Sequence, residues 1–87
     1  MEEIVQKELA ALRQMVLTWK QSYLGLAEPA RDCGFLAQEF REEIDMHVYP
    51  YAKRLYECNY LSESEMAEFF DFCYRQVEEL RRALQAS

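Results

Sequence analysis

Val5, Leu9, Leu12, Val16, Trp19 and Tyr23 recur at intervals of four and three residues, so all six fall on one stripe of an α-helix. A second stripe, Leu36, Phe40, Ile44, His47, Tyr51, Leu55 and Cys58, keeps that period through the middle of the chain. A third follows with Met66, Phe70, Cys73, Val77, Leu80 and Leu84. The pattern predicts three helices, over about 2–24, 30–58 and 62–85.

Local signals punctuate the same three segments. Glu2 and Glu3 stand at the positive end of the first helix dipole, and Glu3 with Lys7 makes a favourably oriented i,i+4 pair. Gly25 offers a stop, because glycine enters the left-handed C′ conformation without strain. The first connection then runs from Gly25 to Pro29, and the second helix opens near Pro29 or, with Asp32 as its cap, slightly later. Pro50 lies inside the second stripe, where it removes a backbone donor and crowds the carbonyl of Met46. The period passes Pro50 in phase, so a kink is expected there and not a break. Asn59-Tyr60-Leu61 forms the second connection. Ser62 and Glu65 then make a capping box, with Leu61 and Met66 as its hydrophobic staple. Asp71 with Arg75 and Glu78 with Arg82 add i,i+4 pairs to the third helix.

Each stripe is apolar on one side only, so each helix must bury it against the others. Short connections make sequential helices antiparallel neighbours. The expected fold is therefore all-α: an up-down-up three-helix bundle forming a single domain over residues 1–87, with a long middle helix kinked at Pro50. At the helical rise the outer helices are about 34 Å long and the middle one about 43 Å.

Composition narrows the function classes. Ten Lys and Arg face sixteen Asp and Glu, for a formal charge of −6, which is the wrong sign for a nucleic-acid backbone. No apolar run approaches the roughly 18 residues of a membrane span. Met1-Glu2-Glu3 has neither the basic nor the apolar region of a signal peptide, and a cytoplasmic location is expected. Three cysteines, Cys33, Cys58 and Cys73, make an odd and irregular set that suits neither a disulfide framework nor a thiolate zinc site. No cofactor is expected.

Many apolar residues lie off the stripes, among them Ile4, Met15, Phe35, Met46, Tyr49, Tyr56, Phe69 and Phe72. A bundle of this length cannot bury them all, and Tyr, Phe and Met on a surface are the usual composition of a protein interface. The function expected from this is non-enzymatic: an interaction or accessory-subunit bundle that self-associates or docks on a protein partner. Tyr49, Tyr56, Phe69 and Phe72 are the expected anchors.

Two chemical alternatives centre on His47, the single histidine. Folding the second helix onto the third about residue 60 sets His47 opposite Cys73, and Glu43 lies one turn earlier, so a thiol or metal site at Glu43, His47 and Cys73 is conceivable. Arg41-Glu-Glu-Ile-Asp-Met-His47-Val-Tyr49 resembles the Arg-x(4–6)-His-x-Tyr motif of HEPN-type RNases and toxins. That resemblance implies a dimerising helical bundle with Arg41 and His47 catalytic and Tyr49 accessory, although Glu42 and the acidic chain suit an RNA-cutting site poorly. The stretch from Asp45 to Leu55 is similar to part of hemerythrin-like proteins. There the iron ligands would fall at Phe40 and Ile44, so this likeness implies a bundle without iron.

Overall fold

A computed structural model describes residues 2–26 and 33–86, and all of its regular structure is helical. Helix α1 spans Glu3–Gly25, α2 spans Cys33–Glu43, α3 spans Tyr49–Glu57 and α4 spans Glu63–Ala86. A five-residue π-helical turn, Ile44–Val48, joins α2 to α3 without a gap, so the two make one middle rod. The result is a bundle of three rods, 46 × 17 × 17 Å. Helix α4 packs along both α1 and the middle rod, and α1 packs on α2. The expected opening of the second helix at Pro29 or Asp32 lies outside the described residues.

The stripes of α1 and α4 are where the core is built. Val5, Leu9, Leu12, Val16 and Tyr23 are buried, with Trp19 packed partly against them. Cys73, Val77, Leu80 and Leu84 are buried on α4. The largest fully buried side chains are Phe40 and Phe69, which belong to one core cluster with Leu9, Leu36, Ile44 and Leu80. Burying each such side chain is worth about 1.5–3 kcal/mol, so this cluster outweighs any single surface pair. Phe69 therefore belongs to the core and is not free to act as a surface anchor. Helix α4 lies between two partners and buries a wider arc than one stripe, which takes in Phe69 and Gln76 as well.

The middle rod departs from the sequence reading after Ile44. Val48 and Ala52 are fully buried, while His47, Tyr51 and Cys58 are exposed. The π turn is the cause. Tyr49 donates its N–H to the carbonyl of Ile44, five residues back, which inserts one residue into the turn and rotates everything after it. Two forces favour this. Pro50 has no N–H to give to Met46 and would crowd that carbonyl in a regular α-helix. The widened turn also puts Val48 and Ala52 inside, where an unbroken helix would bury an imidazole and a phenol.

The helix ends also differ in one respect. Gly25 is the last residue of α1 and has no positive φ; the helix closes instead by a tightened turn from Leu26 N–H to Tyr23 O, 3.1 Å. The left-handed residue is Asn59, φ 67°, at the end of α3. There Tyr60 N–H bonds Leu55 O at 2.9 Å and Asn59 N–H bonds Tyr56 O at 3.0 Å, the paired bonds of a Schellman motif. Helix α4 starts three residues later with the predicted capping box: Glu65 N–H to Ser62 Oγ, 3.1 Å, and Ser62 N–H to Glu65 Oε1, 2.8 Å. Leu61 is buried and Met66 half-buried beside it. On α4, Glu78 engages Arg81 rather than Arg82.

Candidate interaction surface

Aromatic side chains line the edge where the middle rod meets α4. The Tyr49 ring lies 5.2 Å from Phe70, and Phe70 lies 6.1 Å from Tyr74 in a stacked arrangement. Phe70 also touches the buried Phe69 edge-on at 5.4 Å, so the edge is rooted in the core. Tyr74 donates its hydroxyl to Asp45 Oδ1 at 2.7 Å and carries the Arg41 guanidinium over its ring at 5.1 Å. Arg41 Nε in turn sits 4.0 Å from Asp45 Oδ2. Burial, the Asp45 hydrogen bond and its charge push the Tyr74 phenol up to about 12.

The four anchors expected from sequence separate in the fold. Tyr49, 39% exposed, and Tyr56, 38% exposed, stand two helical turns apart on one face of α3. Phe72 is half-buried on the opposite edge of α4, where Arg13 of α1 lies over both Phe72 and Phe69 at 5.9 and 5.6 Å. Phe69 is in the core. Tyr49 and Tyr56 thus share a surface that Phe72 does not join.

A second exposed seam runs between α1 and the middle rod. Three contacts mark it: Tyr23 hydroxyl to Glu43 Oε1 at 3.0 Å, Trp19 against His47 at 6.4 Å, and Tyr51 hydroxyl to Glu8 Oε2 at 2.5 Å. Burial raises the Tyr23 phenol, as do the hydrogen bond it donates to Glu43 and the charges of Glu43, Glu39 and Glu42. The Glu8 hydrogen bond, before burial, raises Tyr51.

The chemical alternatives are not assembled. Arg41 faces Tyr74 on α4, whereas His47 faces Trp19 on α1, so the two side chains turn toward different neighbours. Cys73 is fully buried while His47 is exposed, and Glu43 is engaged by Tyr23. Desolvation pushes the Cys73 thiol up to about 12 despite the opposing charge of Arg13, which is the reverse of activation. Among the described residues no group of three or more His, Cys, Asp and Glu is placed to hold a metal ion, and no helix is long and apolar enough to cross a membrane.

One polar clamp escaped the sequence reading. Lys20 Nζ donates to Gln76 Oε1 and Glu79 Oε1, both at 3.0 Å, and so ties α1 to α4. Gln76 is the buried polar residue it satisfies. Gln76 lies seven, three and four residues from Phe69, Cys73 and Leu80, the spacing of one helix face, but only the fold supplies the lysine. Of the surface depressions, one of about 460 Å³ lies at the Asn59–Ser62 turn and one of about 390 Å³ lies along α4 beside Tyr74. Both are open, the first mainly polar and the second of mixed character, with none of the converging groups of an active site. No protein-family model, curated protein or solved structure matches the chain.

Proposed function

We propose that this chain is a non-enzymatic interaction module, a helical bundle that pairs with a second copy of itself through the aromatic edge of α3 and α4. The observation that carries this reading is the pair of exposed rings Tyr49 and Tyr56, with Tyr49 continued by the half-buried Phe70 and Tyr74 into a ladder rooted in the core at Phe69. Rigid aromatic rings lose little side-chain entropy on contact and present a large apolar area, which is what interface anchors require. Arg41 and Asp45, only 4.0 Å apart and both exposed, supply a polar rim of both signs that a two-fold partner can meet with its own pair.

The reading includes an up-down-up course for the rods and a bend of the middle rod where the π turn meets Pro50. The order of the cross-contacts supports that course: Glu8, Trp19 and Tyr23 on α1 meet Tyr51, His47 and Glu43, whose numbers fall as those of α1 rise. A cytoplasmic setting fits the free Cys58 thiol on the surface.

Size-exclusion chromatography with light scattering tests the proposal. The expected result is a concentration-dependent dimer that Tyr49→Ala with Tyr56→Ala shifts to monomer while helical content stays unchanged. A monomer at every concentration, or a dimer indifferent to both substitutions, would remove it.

A further inference from the structure

The seam between α1 and the middle rod differs from the aromatic edge of α4 in two ways. Several of its apolar residues are more exposed, and its described charges are nearly all of one sign. On α1, Ile4, Met15, Trp19 and Leu26 recur at steps of eleven, four and seven residues, so they share one face. On the middle rod, Phe35, Glu39, Glu43, His47 and Tyr51 recur every four residues. The Trp19–His47, Tyr23–Glu43 and Tyr51–Glu8 contacts bring these two faces edge to edge. Ile4 is 65% exposed, Phe35 55% and Met46, beside His47, 68%.

The carboxylates of this seam are a cluster in space and not only in sequence. Glu39, Glu42 and Glu43 all act on the Tyr23 phenol. None of the three forms an ion pair among the described residues: Glu43 accepts from Tyr23 and Glu42 from Gln38. Four of the described cations are engaged elsewhere. Lys20 is held by Gln76 and Glu79, Lys7 by Glu3, Arg41 by Asp45, and Arg81 by Glu78. Arg54, one turn beyond Tyr51, is the cation at the far end.

We infer that this seam is a docking groove for an amphipathic helix of another protein, one with Leu- or Met-like anchors on its apolar stripe and Lys or Arg along its flanks. The groove between two packed helices accepts the ridge of a third, with anchors at i, i+3 or i+4, and i+7. The marked stretch, from Glu8 to Tyr23, is about 22 Å long, which matches a helix of about 15 residues. Charge selects the occupant. A second copy of this chain would bring a further net −6 to an acidic face, whereas a basic flank neutralises Glu39, Glu42 and Glu43. This surface is separate from the aromatic edge invoked for self-association, so either proposal can fail alone.

The test titrates the intact protein into a fluorescein-labelled amphipathic Leu/Lys helix of about 18 residues, read by anisotropy. A Leu/Glu helix of the same pattern and a Gly/Lys peptide of equal charge serve as controls. Saturable binding of the Leu/Lys helix alone is expected. Glu39→Gln with Glu42→Gln, and separately Met15→Gln, should each weaken it about tenfold, while Glu63→Gln with Glu68→Gln leaves it in place. Absence of binding would overturn the proposal. So would equal binding of the Gly/Lys peptide or the Leu/Glu helix, an inert Met15→Gln, or equal losses from the two glutamate pairs. Light scattering on the same samples reports self-association independently, and circular dichroism confirms that each variant is folded.

Discussion

The hydroxyl of Tyr74 on α4 reaches Asp45 in the π turn at 2.7 Å, and so fastens the irregular segment of the middle rod to its neighbour. Tyr74→Phe keeps the ring beneath Arg41 and removes only this bond. The expected loss is about 1 kcal/mol in urea unfolding, with an unchanged m-value. Asp45→Asn keeps an acceptor for Tyr74 but loses the charge beside Arg41, and should cost less.

The phase of the middle rod is tested by neighbouring residues. Val48→Ala should destabilise by about 2 kcal/mol, because it empties a fully buried site. His47→Ala should stay within about 1 kcal/mol, since it trims an exposed ring that meets the Trp19 edge. The reverse order of the two costs would mean that the stripe runs through His47 as an unbroken helix would have it.

The capping box of α4 should show in both mutation and acid titration. Ser62→Ala is expected to cost about 1 kcal/mol. Glu65 is held below the ordinary carboxylate value of 4.5, chiefly by the backbone N–H of Ser62 and then by its side chain. A lowered folded value means that this contribution is complete above the ordinary value and is lost as pH falls through the lowered one. Glu65→Gln should therefore flatten the acid limb of the stability profile.

At alkaline pH the sign reverses. The Cys73 thiol, ordinarily 9.0, and the Tyr74 phenol, ordinarily 10.0, are each pushed up to about 12, and Tyr23 is raised as well. The unfolded chain ionises these groups first, so stability is complete below pH 9.0 and declines from there toward about 12. Cys73→Ala and Tyr74→Phe should each reduce that slope in melts taken across this range.

The same burial separates the thiols in reactivity. Alkylation followed by peptide mass spectrometry should label the exposed Cys58 quickly, and Cys73 only at the rate of unfolding. Rapid native-state labelling of Cys73 would contradict its place in the core.

How much of this was readable in advance depended on how local the cause was. The α1 stripe and the Ser62–Glu65 box are written in residues a few positions apart, and both stand in the structure. The burial of Phe69 and Gln76 was not, because it follows from α4 having two neighbours, and helical period measures one face at a time. Lys20 meeting Gln76 and Glu79, and Arg41 meeting Tyr74, link residues that only the packed rods bring together. Gly25 ends α1 as read but without the left-handed conformation, because a favourable residue for such a cap does not compel one; Asn59 holds that conformation at the end of α3. Of the surface, the exposure of Tyr49 and Tyr56 was legible as excess aromatic content, but its division into two separate edges was not.

The π turn also sets where the chain tolerates a change of length. It holds one residue more than an α-turn needs. Deleting a single residue between Ile44 and Val48, such as Met46, would still bring Val48, Ala52 and Leu55 inward, with Pro50 then set against the carbonyl of Asp45 as a local kink. The same excision in α2 or α3 would swing every later side chain of the rod by about 100° and turn its apolar face to water. Shortened variants of this protein should therefore survive at this one place in the rod, and a lineage of such chains would be expected to gain and lose residues there.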